Sequence, residues 1–408
     1  MQNLEILPQE FAERRKKAVA AANKRGFAAL LIWSRGGTTL DYYGDVLYLT
    51  NHYSPFPPTS ESKQWAGRSC SALILPIEDD PVLVVDLPDY PKEKVYVDDV
   101  RPTLTVPQAV AKVLREKGLD KVRLGLVGRE CLLLRSYHLI EETLGHSLQV
   151  ELADDILQTL RMVKSGNEIR IIKHAAVVGV EWMRVMMEAV QEGRTEGDFV
   201  GEGLRYFASQ GGFQYDVDVA SGPNSSRMER IGIPSWDFRR KLKYGDIVHV
   251  DAWGPVEYYY VDLARSTIVG RKPSNTQREV LEAPVGLVES IIEIIKPGIT
   301  FGDLYQRGVT WLVENGFAPH RSGIGGMKAA GTEFGELFPA FGHCVGLGIE
   351  PPWIIEGEPS IVQENMIIAV EAGVGRPDVG MACFEQNMLV TPNGCEVLTD
   401  ACPKRWWD

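Results

Sequence analysis

Nowhere in its 408 residues does this chain carry eighteen consecutive uncharged apolar residues, so nothing in it reads as a transmembrane helix. Its first residues lack an apolar stretch followed by a small-residue cleavage site, so no secretory leader is expected and the chain reads as cytoplasmic. Positive charge is also short. Lys and Arg number 43 against 55 Asp and Glu, and the net charge of −12 argues against a nucleic-acid or anionic-membrane partner. Cysteine is sparse: Cys70, Cys131, Cys344, Cys383, Cys395 and Cys402 are scattered without a C-x-x-C spacing, which suits a reducing compartment. Cys344 and Cys383 read as small buried residues.

What is present is a soluble composition, 44% hydrophobic and 24% charged, on a chain too long for one ordinary core. Two domains are expected, 1–158 and 159–408. In the first, helical patterns at 11–24 and 106–117 alternate with strand patterns at 28–33, 71–76, 82–86 and 123–127, which predicts an α/β domain. A polar and aromatic loop at 50–65 exceeds ordinary connection lengths, as loops that contact partners do. Ser165 followed by Glu168 is a capping box opening a long amphipathic helix at 169–191. The second domain carries a repeat. Gly193, Thr195, Asp198 and Gly203 recur at a constant offset as Gly298, Thr300, Asp303 and Gly308, which is read as duplication of one supersecondary unit.

Each copy is followed by strands bearing acidic residues in apolar surroundings. Asp251 ends one strand-like run, Gly254 and Pro255 open a turn, and the return strand carries Asp262. Glu371 ends a second apolar run, residues 375–380 have turn chemistry, and the return strand carries Glu385. Residues opposite one another in a hairpin have Cβ atoms ~5 Å apart, so each pair can share metal ions roughly 4 Å from each other. Four carboxylates crowded in hydrophobic strands are costly unless cations neutralise them. Two divalent ions balance all four. With His343 beside Gly342 the set reads as a two-metal site, and carboxylates plus one imidazole suit Mn, Fe, Co or Zn.

These five residues, the capping box and the α/β N-terminal domain together resemble the pita-bread metallohydrolase family, which includes aminopeptidase P, prolidase, methionine aminopeptidase and the metal-free creatinase. The stretch 342–352 looks like the family's glycine-histidine turn. The resemblance implies a creatinase-type α/β N-terminal domain and an α+β pita-bread catalytic domain with a pseudo-twofold repeat. It implies a homodimer, and Asp251, Asp262, His343, Glu371 and Glu385 as ligands of two divalent ions that bridge and activate a water. In that scheme a metal-bridging hydroxide attacks a carbonyl, and Glu371 is the proton acceptor. The expected function is hydrolysis of an amide or Xaa-Pro-like C–N bond in a small molecule or short peptide.

The chain departs from the family's Xaa-Pro peptidases around the metals. Glu350 stands seven residues after His343, where those enzymes carry a second histidine; Pro339 and Glu229 occupy two further histidine positions, and Cys383 replaces the arginine of aminopeptidase P. A histidine donates to an oxyanion, whereas an ionised glutamate only accepts. Glu350 is therefore expected to pair with a cationic substrate group or to act as a general acid or base. Trp253, Tyr258, Tyr260 and Trp353 are candidate aromatic contacts for such a cation. His249, two residues before Asp251, is either a core histidine or a substrate contact. The alternative function is a non-peptide enzyme of the same scaffold, such as the family's dimethylsulfoniopropionate lyase, acting on a small cationic substrate. The glycine cluster at 323–326 lacks the spacing of a phosphate loop and is assigned no cofactor.

Overall fold

A computed structural model describes residues 4–36, 42–86, 90–214, 217–226, 232–317, 340–376 and 378–408. Glu229, Pro339 and the 323–326 glycines lie outside these described residues. The chain divides into two compact units, Met1–Arg161 and Met162–Asp408.

In the first unit α1 (Pro8–Lys24), β1 (Ala29–Arg35), α2 (Gly44–Thr50), β2 (Cys70–Pro76), β3 (Val82–Val85), β4 (Asp99–Pro102), α3 (Val106–Glu116), β5 (Arg123–Val127), α4 (Leu134–Leu144), β6 (Gln149–Leu152) and α5 (Asp154–Met162) follow in order. The six strands form one sheet, β4-β3-β2-β1-β5-β6. β1 lies antiparallel to β2 and parallel to β5. Its continuous apolar run is buried on both faces, as a central strand of a mixed sheet requires. Residue 158 falls inside α5, so the sequence boundary cut a helix that the first unit retains almost entirely. The 50–65 loop is tied back within its own unit, with Ser54 Oγ donating to the buried Asp86 carboxylate at 2.6 Å and the Phe56 and Trp65 rings 4.6 Å apart.

The second unit comprises α6 (Gly166–Glu188), α7 (Glu196–Ser209), β7 (Asp218–Ser221), β8 (Ile247–Val256), β9 (Tyr259–Ile268), α8 (Asn275–Ile292), α9 (Phe301–Glu314), β10 (Gly342–Val345), β11 (Ile349–Trp353), β12 (Ile367–Arg376), β13 (Gly380–Thr391) and β14 (Gly394–Val397). The Ser165 capping box is present, with Glu168 N donating to Ser165 Oγ and Ser165 N to the Glu168 carboxylate. The repeat appears as two equivalent helices: Thr195 caps α7 through Asp198, and Thr300 caps α9 through Asp303. The repeated glycines allow close approach. A Cβ on Gly203 would lie 2.3 Å from Met186, and one on Gly308 would lie 2.7 Å from the Phe341 ring.

Strands fall into a three-stranded sheet, β7-β8-β9, and a five-stranded sheet, β11-β10-β12-β13-β14. Each long hairpin buries one face against helices. Val248, Val250, Val261 and Leu263 pack with Trp182, Met186 and Phe207, while Ile368, Val370, Phe384 and Met388 pack with Val280, Val288 and Leu304. Each such residue contributes about 1.5–3 kcal/mol of burial free energy. Together they offset desolvation of acidic side chains on the opposite faces, a cost on the order of several kcal/mol per ion.

One hairpin differs from expectation. The β8–β9 turn is Glu257 and Tyr258, both at positive φ as in a two-residue type I′ turn, and Gly254 and Pro255 lie inside β8. Asp251 therefore pairs with Ala264 and Asp262 with Trp253, an offset of two residues that leaves both carboxylates on one face but diagonal to each other. Neither turn residue is the Asn or Gly that marks such turns, whereas the Gly-Pro dipeptide is a strong turn signal. In the second hairpin Glu371 lies directly opposite Glu385.

Candidate metal centre

Side chains alternate across a strand, so the face opposite the apolar core is set by parity. It carries Asp251 and Trp253 on β8, Asp262 on β9, Glu371 on β12, and Cys383, Glu385 and Asn387 on β13. His343 reaches the same group from β10, where it pairs with Ala369. Gly342 before it has φ +131°, and a Cβ there would lie 1.9 Å from the Ala369 carbonyl oxygen, so only glycine admits this approach.

The five side chains form two triads. Ligand atoms of Asp262, His343 and Glu385 lie within 4.8 Å of one another, and so do those of Asp251, Glu371 and Glu385. Glu385 belongs to both. His343 Nε2 is 3.3 Å from Glu371 Oε1 and 3.6 Å from Asp262 Oδ2, and its Nδ1 is 3.0 Å from the Cys344 carbonyl oxygen. That carbonyl can only accept, so it fixes the proton on Nδ1 and leaves Nε2 facing the carboxylates as a lone pair for a metal.

All five residues are buried. Burial pushes the Asp251 carboxyl well above the usual carboxylate range, and the charges of Asp262, Glu371 and Asp218 push it further. Glu385 is raised likewise by burial and by Asp262, Glu371 and Asp251. For His343 burial opposes the charged form, but Glu371 and Asp262 overcome it and raise the pKa. Among the described residues, Asp251 Oδ1 and both Glu385 carboxylate oxygens are buried and find no hydrogen-bond donor. Acceptor-only groups of this kind, with a carboxylate and imidazole donor set, fit divalent ions of the Mn, Fe, Co and Zn group.

A sequence profile of metallopeptidase family M24 matches residues 170–392, more than half of the chain and the stretch containing every one of these five residues. The chain belongs to metallopeptidase family M24. As a member it is a metal-dependent hydrolase with the pita-bread fold, and the family implies divalent metal ions. The Xaa-Pro dipeptidase of Pyrococcus horikoshii is 26% identical over 314 residues, covering 74% of this chain and 83% of that protein. In the fold, the Pyrococcus horikoshii prolidase superposes with a TM-score of 0.75 over 95% of this chain and 98% of its own, at 22% identity. Aminopeptidase P from E. coli gives 0.72 over 98% and 97%, at 20% identity.

The remaining candidates of this M24 chain scatter. Trp253 and Tyr260 lie on the carboxylate face of the first hairpin, Trp253 half-buried and Tyr260 buried. His249 is fully buried on the same side of β8, opposite Ser266. The Trp353 ring packs edge-on to His343, 4.9 Å between centroids. Tyr258 sits at the hairpin tip, 42% exposed, and its neighbour Tyr259 donates to Glu168 from the helix-facing side.

Glu350 is not brought to the carboxylate face. It pairs with Cys344, which points away from the His343 side into the helix-packed core. Its cation is internal: Lys164 Nζ lies 3.3 Å from Oε2, and Leu347 N donates to Oε1 at 3.0 Å. The expectation that Glu350 meets a cationic substrate or acts as acid or base gives way to a buried ion pair that pins the turn after His343. An acidic residue after a glycine-rich turn looks solvated in sequence, and its partner lies 186 residues away.

Asp218, Arg265, Ser266 and Asn387 were missed. Asp218 pairs with Asp251 from β7 and adds a half-buried charge beside it. Arg265 is fully buried and donates to the Glu385 carbonyl at 2.6 Å and to Gln386 Oε1 at 3.0 Å. The available signal was a second charge three residues past Asp262, in a strand that carries no other charged residue.

Proposed function

We propose that this chain is a two-ion peptidase that hydrolyses an amide or Xaa-Pro-like bond in a short peptide. The observation that carries the reading is the pair of buried triads sharing Glu385. Asp262, His343 and Glu385 would hold one ion, and Asp251, Glu371 and Glu385 the other. Divalent ions bound there supply Lewis acidity and a water of lowered pKa. Glu371 is the proton acceptor in this reading, beside the His343 ring that Nδ1 and Trp353 hold in place. Burial of the whole group excludes bulk water and strengthens every charge interaction within it. The name of the Pyrococcus horikoshii relative, an Xaa-Pro dipeptidase, supports the substrate class.

A second reading, turnover of a small cationic non-peptide molecule, is favoured by one feature: Trp253 and Trp353 both stand on the acidic face, where indoles attract cations. Assays of the manganese- or cobalt-loaded protein on Xaa-Pro dipeptides, on other dipeptides and on betaines and sulfonium compounds separate the two. Hydrolysis of dipeptides that is lost on chelation and restored by metal supports the first; turnover of the cations alone contradicts it. The homodimer belongs to the same proposal and is read directly by light scattering.

A further inference from the structure

β9 and β13 carry Asp262 and Glu385 but belong to different sheets, so no main-chain ladder sets the spacing of these two residues. Side chains stitch the seam instead. The Asn387 carboxamide grips both polar atoms of the Asp262 backbone: Asp262 N donates to Oδ1 at 3.1 Å, and Nδ2 donates to the Asp262 carbonyl at 2.7 Å. A neighbouring strand would make the same exchange with its main chain. Four residues along each strand Ser266 does the converse, its Oγ accepting from Cys383 N at 2.8 Å and donating to Cys383 O at 2.9 Å.

Asn387 is itself immobilised. It is 2% exposed; its N–H donates to Thr399 Oγ1 at 3.0 Å, and its carbonyl accepts from Leu398 N at 2.8 Å. Reversing its amide would set Nδ2 against the Asp262 N–H, two donors face to face, so the network permits one orientation. It stands two residues past Glu385, on the same face, and reaches across the seam to the other residue of that triad. A fully satisfied buried clamp of this kind transmits a fixed geometry because misplacing it leaves polar groups unpaired.

We propose that Asn387 is a positioning residue that holds Asp262 in register with Glu385 and thereby sets the affinity of the centre for its metal. The inference rests on the two-ion reading above. It is tested by titrating metal-stripped wild type, Asn387→Ala and Asn387→Asp with cobalt(II), following the visible spectrum, alongside thermal unfolding of the metal-free proteins. Asn387→Ala should weaken cobalt affinity roughly tenfold to a hundredfold and alter the spectrum at saturation. Asn387→Asp keeps the acceptor for Asp262 N but sets a carboxylate oxygen against Asp262 O, two acceptors face to face, and should likewise weaken affinity and alter the spectrum. Wild-type affinity and spectrum in the folded variants overturn the inference, whatever their melting temperatures. If Asn387→Ala fails to fold, the nearly isosteric Asn387→Asp decides by the same readings. A wild type that binds one ion overturns the two-ion reading alone, with the variant comparison still deciding Asn387; one that binds none overturns both.

Discussion

The two acidic hairpins of the second unit reach one centre with different registers. Glu371 and Glu385 oppose each other directly across β12 and β13, which places their Cβ atoms ~5 Å apart. Asp251 and Asp262 are offset by two residues across β8 and β9, a diagonal of roughly 7–8 Å. The close pair falls into one triad, and the wide pair is split between the two. In the two-ion reading, register more than ligand identity would decide which ion each carboxylate serves, and Glu385 is the residue common to both triads.

The largest effect should follow removal of that common residue. Glu385→Gln is expected to lose both ions and to lower kcat/KM by ~10³-fold or more, equivalent to about 4 kcal/mol of transition-state stabilisation. Asp251→Asn and Asp262→Asn should each retain one ion by elemental analysis; loss of both from either would break the assignment of the wide pair. Next in size is the buried ion pair behind His343. Lys164→Met should destabilise the protein by about 3–5 kcal/mol, and adding Glu350→Gln should restore much of that, read as a shift in urea midpoint. A Glu350→Gln variant that is as stable as the parent but inactive would return Glu350 to the chemistry.

A smaller and more gradual effect is the pH dependence of the metal-free protein. Asp251, Glu385 and His343 have folded-state pKa values above their ordinary ones. Between the ordinary and the raised value the folded state binds more protons than the unfolded state, so stability falls as pH rises through that window. For the carboxyls the fall starts near about pH 4. Calorimetry of metal-stripped protein should show the melting temperature dropping from acid toward neutral pH, with added metal abolishing the drop; a rise over the same range would contradict the crowding of charges. Smallest is Trp353→Phe, which trims the ring against His343 and should cost about 1 kcal/mol or less, seen as a modest change in KM with metal content unchanged.

Much of this was legible in the sequence where the signal is local. The caps at Ser165, Thr195 and Thr300 bond residues three apart, and β5 emerges at 123–127 as its apolar run predicts. The opposition of Glu371 and Glu385 followed from an ordinary turn between them. The first hairpin was misread because Glu257 and Tyr258 adopt positive φ without the residues that announce it, while Gly254 and Pro255 announce a turn they do not make. Glu350 and Asn387 were illegible for a different reason. Their partners, Lys164 and Asp262, lie 186 and 125 residues away, and a side-chain clamp across two sheets leaves no periodicity.

The most direct measurement is the metal content of the purified, metal-saturated protein beside its Glu385→Gln variant, by mass spectrometry of the elements after desalting. Two shared triads predict close to two divalent ions per chain in the wild type and close to none in the variant. A single ion in the wild type, or a variant that keeps two, would contradict the bridging role of Glu385.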